Sequence, residues 1–256
     1  MCYNAKYLFE KALRRAIHYN IPEDIEYYKK ELARRFKEYR RFYSGFAHPE
    51  IIVYTNNEPY KPQPATWGLI PEWAKEPVKI WNQTINARGE TIFEKPAFRK
   101  SAGSKHCLIP AAGFYEFHNY KGKKYPFYIT HKNGQPLYFA GLWSEWPNPE
   151  TGELLNTFTI VTTKANPLMA KIHNKPQFSD DPRMPVILPE DHLEEWLKPL
   201  NKEQVQELLV PYPDSELEAY TVKPLTGKEA IGDDPAIDER REYDDLVYGD
   251  NQLTLF

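Results

Sequence analysis

Cysteine is nearly absent from this chain: Cys2 and Cys107 are the two in 256 residues. Two cysteines build no disulfide framework, and no CxxC pair supplies zinc-ligand spacing, so neither a stapled secreted fold nor a structural metal is expected. No run of 18 apolar residues occurs, and the first thirty residues are charged and tyrosine-rich without an apolar centre. The expectation is therefore a soluble cytoplasmic protein with no membrane span and no signal peptide. Internal repeats and a glycine-rich phosphate loop are missing as well, and no cofactor is expected.

Strong charge of one sign is also lacking, since the formal net charge is −3. It divides unevenly along the chain. Residues 229–256 hold nine acids against Arg240 and Arg241, leaving 31 bases against 27 acids in residues 1–228. A mildly basic body permits a phosphate groove without demanding one.

What is abundant is proline, 23 residues, and aromatics at 14%, a composition of many short elements rather than a helical bundle. Residues 4–19 and 23–42 space apolar residues at helical intervals around the Ile21-Pro22 break, which predicts two helices. The basic run in the second, from Lys29 to Arg41, reads equally as a phosphate path or as an exposed face with i,i+4 pairs. From residue 50 onward short β-like runs follow: 51–54, 106–109, 114–118, 125–130, 137–142, 157–162 and 184–188. Turns such as Asn133-Gly134 between them predict a largely antiparallel, hairpin-rich sheet. Helices are expected at 190–198 and 202–209 and a strand near 220–222. The body is taken as one domain, 1–228, followed by an acidic flexible tail, 229–256.

The chain begins Met1-Cys2. Removal of Met1, which a small second residue permits, would leave a free α-amine beside the Cys2 thiol. Such a 1,2-aminothiol can attack an aldehyde through nitrogen and then through sulfur, closing a thiazolidine ring. The alternative is a frayed, inert terminus. Cys107, in a β-like run, reads as a buried thiol.

Four segments carry more than scaffold: Trp67-Gly68-Leu69-Ile70-Pro71-Glu72-Trp73, Asn86-Ala87-Arg88-Gly89-Glu90, Gly113-Phe114-Tyr115-Glu116, and Ile172-His173-Asn174 running on to Arg183-Met184-Pro185. Together with Cys2, from there to about Leu225, they resemble the SRAP family, the SOS response-associated peptidases or abasic-site processing proteins. The resemblance implies an α+β fold, a mixed, largely antiparallel sheet curled into a barrel with flanking helices. It also implies a function in DNA damage repair: binding single-stranded DNA and capturing the aldehyde of an abasic site on Cys2 as a covalent DNA-protein crosslink. Peptidase activity, a hydrolase reaction that removes Met1, is implied by the family name.

The resemblance assigns Cys2, Asn86, Glu116 and His173 as catalytic. Glu116 has aromatic neighbours, and burial among them favours a carboxylic acid that exchanges protons as the Schiff base forms. His173 is suited to move a proton at the opened deoxyribose. The Asn86 amide can hold both the α-amine and a sugar hydroxyl, and Arg88 offers a fork for phosphate. Trp67 is taken as the base-stacking platform in preference to Trp73, and Thr162 as a DNA-facing site residue.

Three departures from the family stand out. Cys2-Tyr3-Asn4-Ala5 lacks an arginine common after the cysteine. The loop from Tyr43 to Pro49 lacks the usual asparagine. Eight residues, 175–182, separate Asn174 from Arg183, where the family joins them closely. The chain ends Gln252-Leu253-Thr254-Leu255-Phe256, which resembles peptides that dock on the bacterial sliding clamp, with Gln252, Leu253, Leu255 and Phe256 as the contacts. The protein is expected to be a monomer. Two rival readings remain at this stage: an N-terminal-nucleophile cysteine amidohydrolase, and a non-covalent single-stranded DNA adaptor.

Overall fold

Side chains that alternate between two faces place the β-like runs in strands, and turn residues set where each run stops. The computed structural model describes residues 4–6, 42–174 and 181–247. Its strands are β1 (Asn4–Lys6), β2 (Tyr43–Ser44), β3 (Glu50–Thr55), β4 (Glu58–Trp67), β5 (Asn86–Arg88), β6 (His106–Ala111) and β7 (Gly113–Tyr120). They continue with β8 (Lys123–His131), β9 (Leu137–Pro147), β10 (Leu154–Lys164), β11 (Arg183–Pro185), β12 (Ile187–Leu188) and β13 (Leu217–Thr221). The α-helices are short: α1 (Pro77–Trp81), α2 (Pro167–Ile172), α3 (Leu193–Trp196), α4 (Lys202–Leu208) and α5 (Asp244–Val247).

Five strands close on themselves. β3 pairs with β4 and β6, β6 with β9, β9 with β10, and β10 returns to β4. The β10–β4 pair is parallel and the other four are antiparallel, which is the mixed, largely antiparallel barrel expected. Closure removes the open edges at which a sheet would pair with another chain. Beyond β4, the same edge of β10 is occupied by β5, with Ile160 opposite Asn86 and Thr162 opposite Arg88. On its other edge β11 takes over from β9.

The second sheet runs β13-β8-β7-β1-β2. Its inward residues Phe114, Phe127 and Ile129 merge with barrel residues Val53, Trp67, Ile109, Phe158 and Ile160 and with Leu168, Met169 and Ile172 of α2 in one core. The opposite face of the barrel buries Leu108, Leu142 and Val161 under Trp196 and Val205 of α3 and α4.

The structure departs from the sequence reading in four places. Residues 4–6, expected to begin a helix, form β1 because the edge of β7 offers them a ladder, Asn4 opposite Tyr115; the rest of 4–19 and 23–41 lies outside the described residues. β4 was not among the expected strands, and Pro59, Pro62 and Pro64 fall within it. Proline is tolerated where a strand needs pairing on one side, and among the described residues β4 pairs only with β3 until Thr66 and Trp67 meet β10. The Asn133-Gly134 turn joins β8 to β9, which belong to different sheets. The β7–β8 hairpin instead turns at Lys121-Gly122, both at positive φ (48° and 75°), as a two-residue hairpin loop requires.

Residues 229–247, expected as flexible tail, lie against the body. Ile237 is buried beside Tyr115, Tyr128 and Val222, and Tyr243 Oη donates to Val222 O (2.7 Å). Enough apolar surface is buried here to order a segment whose composition alone reads as solvated.

Candidate functional site

The edge-on position of β5 explains how Asn86 and Arg88 are presented. Paired residues of neighbouring strands share a face, so Asn86 lies with Ile160 toward the shared core while Ala87 lies with Val161 on the other side. The Asn86 Nδ2 and Oδ1 are both shielded from solvent, and among the described residues neither has a hydrogen-bond partner. Arg88, at the exposed end of β5, pairs with Asp181 (2.6 Å).

Glu116 follows Phe114 on the same face of β7, two residues along, and is buried. The Phe117 amide, past the last described β1 pair, donates to Glu116 Oε1 (3.0 Å). His173 is the residue at which α2 ends, directly after the core residue Ile172. It is buried, and its Nδ1 accepts from the Arg183 amide (3.0 Å). With Nδ1 used as an acceptor, a neutral ring carries its proton on Nε2. Asn86, Glu116 and His173 thus border one core from three different elements.

Arg183 is 3% exposed and grips Glu90 through two bonds, Nη1 to Oε1 (2.8 Å) and Nη2 to Oε2 (2.7 Å). Its Nη2 also donates to Thr162 O (2.8 Å), and Nη1 lies 3.6 Å from Asp181. Burial pushes the Glu90 carboxyl up, but the Arg183 bonds and charge outweigh it and hold Glu90 below its ordinary value of 4.5. Asp181 therefore stands between two guanidinium groups, one exposed and one buried.

Residues 11–229 match the family described as SOS response associated peptidase, SRAP. The chain belongs to this family. It is 48% identical over 162 residues to abasic site processing protein YoqW of Bacillus subtilis, covering 62% of this chain and 68% of that protein. It is 35% identical over 152 residues to abasic site processing protein HMCES of Xenopus tropicalis, covering 51% of this chain and 43% of that protein. A crystal structure of a protein from Bacteroides thetaiotaomicron superposes with a TM-score of 0.78 at 29% identity, covering 94% of this chain and all of the other. The SRAP fold is therefore shared across nearly the full length.

Within this SRAP chain the candidate residues divide. Cys2 and the tail contacts Gln252, Leu253, Leu255 and Phe256 lie outside the described residues. Two expected DNA contacts are corrected by burial. Trp67 is fully buried, stacks on Phe158 and donates from Nε1 to Ile85 O (2.9 Å); its place on the lumen side of β4 makes it core. Thr162 is likewise fully buried, its Oγ1 donating to Ala87 O (3.3 Å) where β5 meets β10. Trp73, set aside in the sequence reading, is the exposed tryptophan of that motif, 56% accessible, with Nε1 toward Pro96 O (3.3 Å). Cys107 is buried as expected, and burial pushes its thiol well up.

The structure also adds residues that the sequence reading did not single out for the site. The Glu90–Arg183 pair spans two motifs and has no local spacing to betray it. Asp181 falls in the stretch where this chain departs from the family pattern, and that departure was the available signal.

Proposed function

We propose that the protein binds single-stranded DNA and captures the ring-opened aldehyde of an abasic site on Cys2 once Met1 has been removed. The names of its relatives support abasic-site processing, and the Asn86 amide carries the finer reading. A buried amide with neither heteroatom paired is costly, on the order of 1–3 kcal/mol per unsatisfied group. A ligand offering both a donor and an acceptor, such as an amine and a sugar hydroxyl, would satisfy it.

The Cys2 α-amine adds to the aldehyde carbon and water leaves, giving an imine. The thiol then adds to the imine carbon as its proton passes to nitrogen, and the thiazolidine closes. Glu116 exchanges protons with the departing water and the amine, and the Nε2–H of His173 donates to a hydroxyl of the opened sugar. Cys2 stands two residues before Asn4, which pairs with Tyr115, the neighbour of Glu116. Arg88 holds a phosphate by exchanging its Asp181 partner for the DNA backbone.

The deciding experiment uses protein lacking Met1 and a single-stranded oligonucleotide with one abasic site, read on a denaturing gel. A heat-stable shifted band is expected for the wild type and not for Cys2→Ser or for protein whose α-amine is blocked. Absence of the band in the wild type overturns the reading, and an amide-hydrolysing enzyme or a non-covalent adaptor then becomes the better account. Release of Met1 by the chain itself is a separate proposal, tested by mass spectrometry of purified unprocessed chain. Clamp docking by residues 252–256 is another, tested by pull-down with and without them.

A further inference from the structure

His173 occupies a point where a helix ends and the backbone leaves helical geometry, at φ −81° and ψ 60°. Its side-chain direction is therefore not set by α2 alone. Eight residues separate Asn174 from Arg183, so the short covalent link to the Arg183 strand is missing too. Four hydrogen bonds to β7 occupy its place, the longest from Asn119 Nδ2 to Asn174 Oδ1 (3.4 Å). His118 Nδ1 donates to Lys171 O (2.9 Å), a last-turn carbonyl with no helical partner of its own. The Asn119 amide donates to Asn174 Oδ1 (2.7 Å), and Asn174 Nδ2 donates back to Asn119 O (2.9 Å).

These bonds fall on both sides of His173, at residues 171 and 174. On β7 they fall two and three residues past Glu116, with His118 on the same strand face as Glu116. Asn174 behaves like one residue of an adjoining strand, completing the edge of β7 beyond Tyr115, where the described β1 pairing stops. His118 is 5% exposed and burial lowers its affinity for a second proton, which keeps the ring neutral with the hydrogen on Nδ1 for Lys171.

We propose that Asn174, supported by His118, is a positioning residue that holds His173 against the Glu116 face of β7. The amide acts through His173 and takes no part in the chemistry itself. This rests on the reading above in which His173 exchanges a proton with the abasic sugar.

The test is a double-mutant cycle on single-turnover rates of crosslink formation and reversal, using full-length protein lacking Met1. Asn174→Ala is expected to slow whichever step His173→Ala slows, on the order of ten-fold for a misplaced group. In the His173→Ala background it is expected to add nothing, because a positioning residue has nothing left to position. Equal slowing in both backgrounds would mean a general structural role and overturns the proposal, as does a wild-type rate in Asn174→Ala. If Asn174→Ala does not fold, Asn174→Asp keeps the acceptor, loses the donor and serves in the same cycle. A wild type that forms no crosslink sinks the functional reading itself, whereas a crosslinking wild type with an indifferent Asn174 sinks this inference alone. No rate change on His173→Ala removes the role of His173 and the clasp with it.

Discussion

At the scale of single residues, the informative feature is a deficit. Among the described residues Trp81, Tyr115, His118, Thr159 and Arg183 each leave one buried polar atom unpaired, but Asn86, held in β5, leaves both heteroatoms of its amide so; Asn166, by contrast, accepts from Met169 N (2.8 Å) and donates to Tyr212 O (2.7 Å). A group kept at a cost in the free protein is one whose partner arrives with the ligand. Asn86→Leu, similar in size and without polar atoms, is therefore expected to raise stability by roughly 1 kcal/mol while slowing crosslinking. Thermal denaturation and the gel assay check the two halves. A fall in melting temperature would mean that the amide is satisfied in solution and would remove its special status. Asn86, Glu116 and His173 were all legible as motif residues, but the core they border in common was not, because each reaches it from a different element. Trp67 was misread for the complementary reason: a motif marks a residue as important without saying whether it faces the lumen or the solvent.

At the scale of elements, most strands could be read from alternation and turn residues, and the failures have local causes. β4 contains prolines that are harmless on a strand paired on one side. The hairpin turn was hidden because Lys121 carries none of the usual signature for positive φ. Barrel closure depends on a residue that the sequence does not advertise, Gly141 in β9, which sits opposite Cys107 of β6 and Ile160 of β10. A Cβ there would lie 2.8 Å from both Thr159 O and Cys107 Sγ and would overlap Ile109 Cδ1. Two of these contacts could shift as side chains, but the Thr159 carbonyl belongs to the ladder. Gly141→Ala is expected to destabilise by about 3 kcal/mol, the upper part of the range for overpacking a core, read by urea denaturation. A loss below about 1 kcal/mol would show that β9 and β10 can move apart without opening the barrel.

At the scale of the whole molecule, the division at residue 228 came from composition: charge density rises there and apolar content falls. Composition averages over a segment, however, and a few well-placed side chains decide whether it docks. Ile237 is 1% exposed against Tyr115, Tyr128 and Val222, on the face of β7 opposite Glu116. The Phe42 amide donates to Asp233 Oδ1 (3.0 Å), and Asp245 pairs with Lys123 of β8 and accepts from Tyr125 Oη (3.0 Å). The acidic segment thus backs the strand whose other face carries the proposed proton-exchanging carboxylate. Truncation after Lys228 is expected to lower stability by at least the burial of Ile237, about 1.5–3 kcal/mol, with Ile237→Ala giving a similar loss in the intact chain. Since the Tyr115 face of β7 then keeps Val222 and Leu225 but loses Ile237, the truncated protein is also expected to crosslink more slowly at temperatures well below its melting point, where global unfolding contributes nothing. If truncation leaves both melting temperature and rate unchanged, residues 229–247 are an appendage and the boundary drawn from composition stands. If both fall, the domain extends at least to Ile237 and the acidic segment is part of the scaffold of the site.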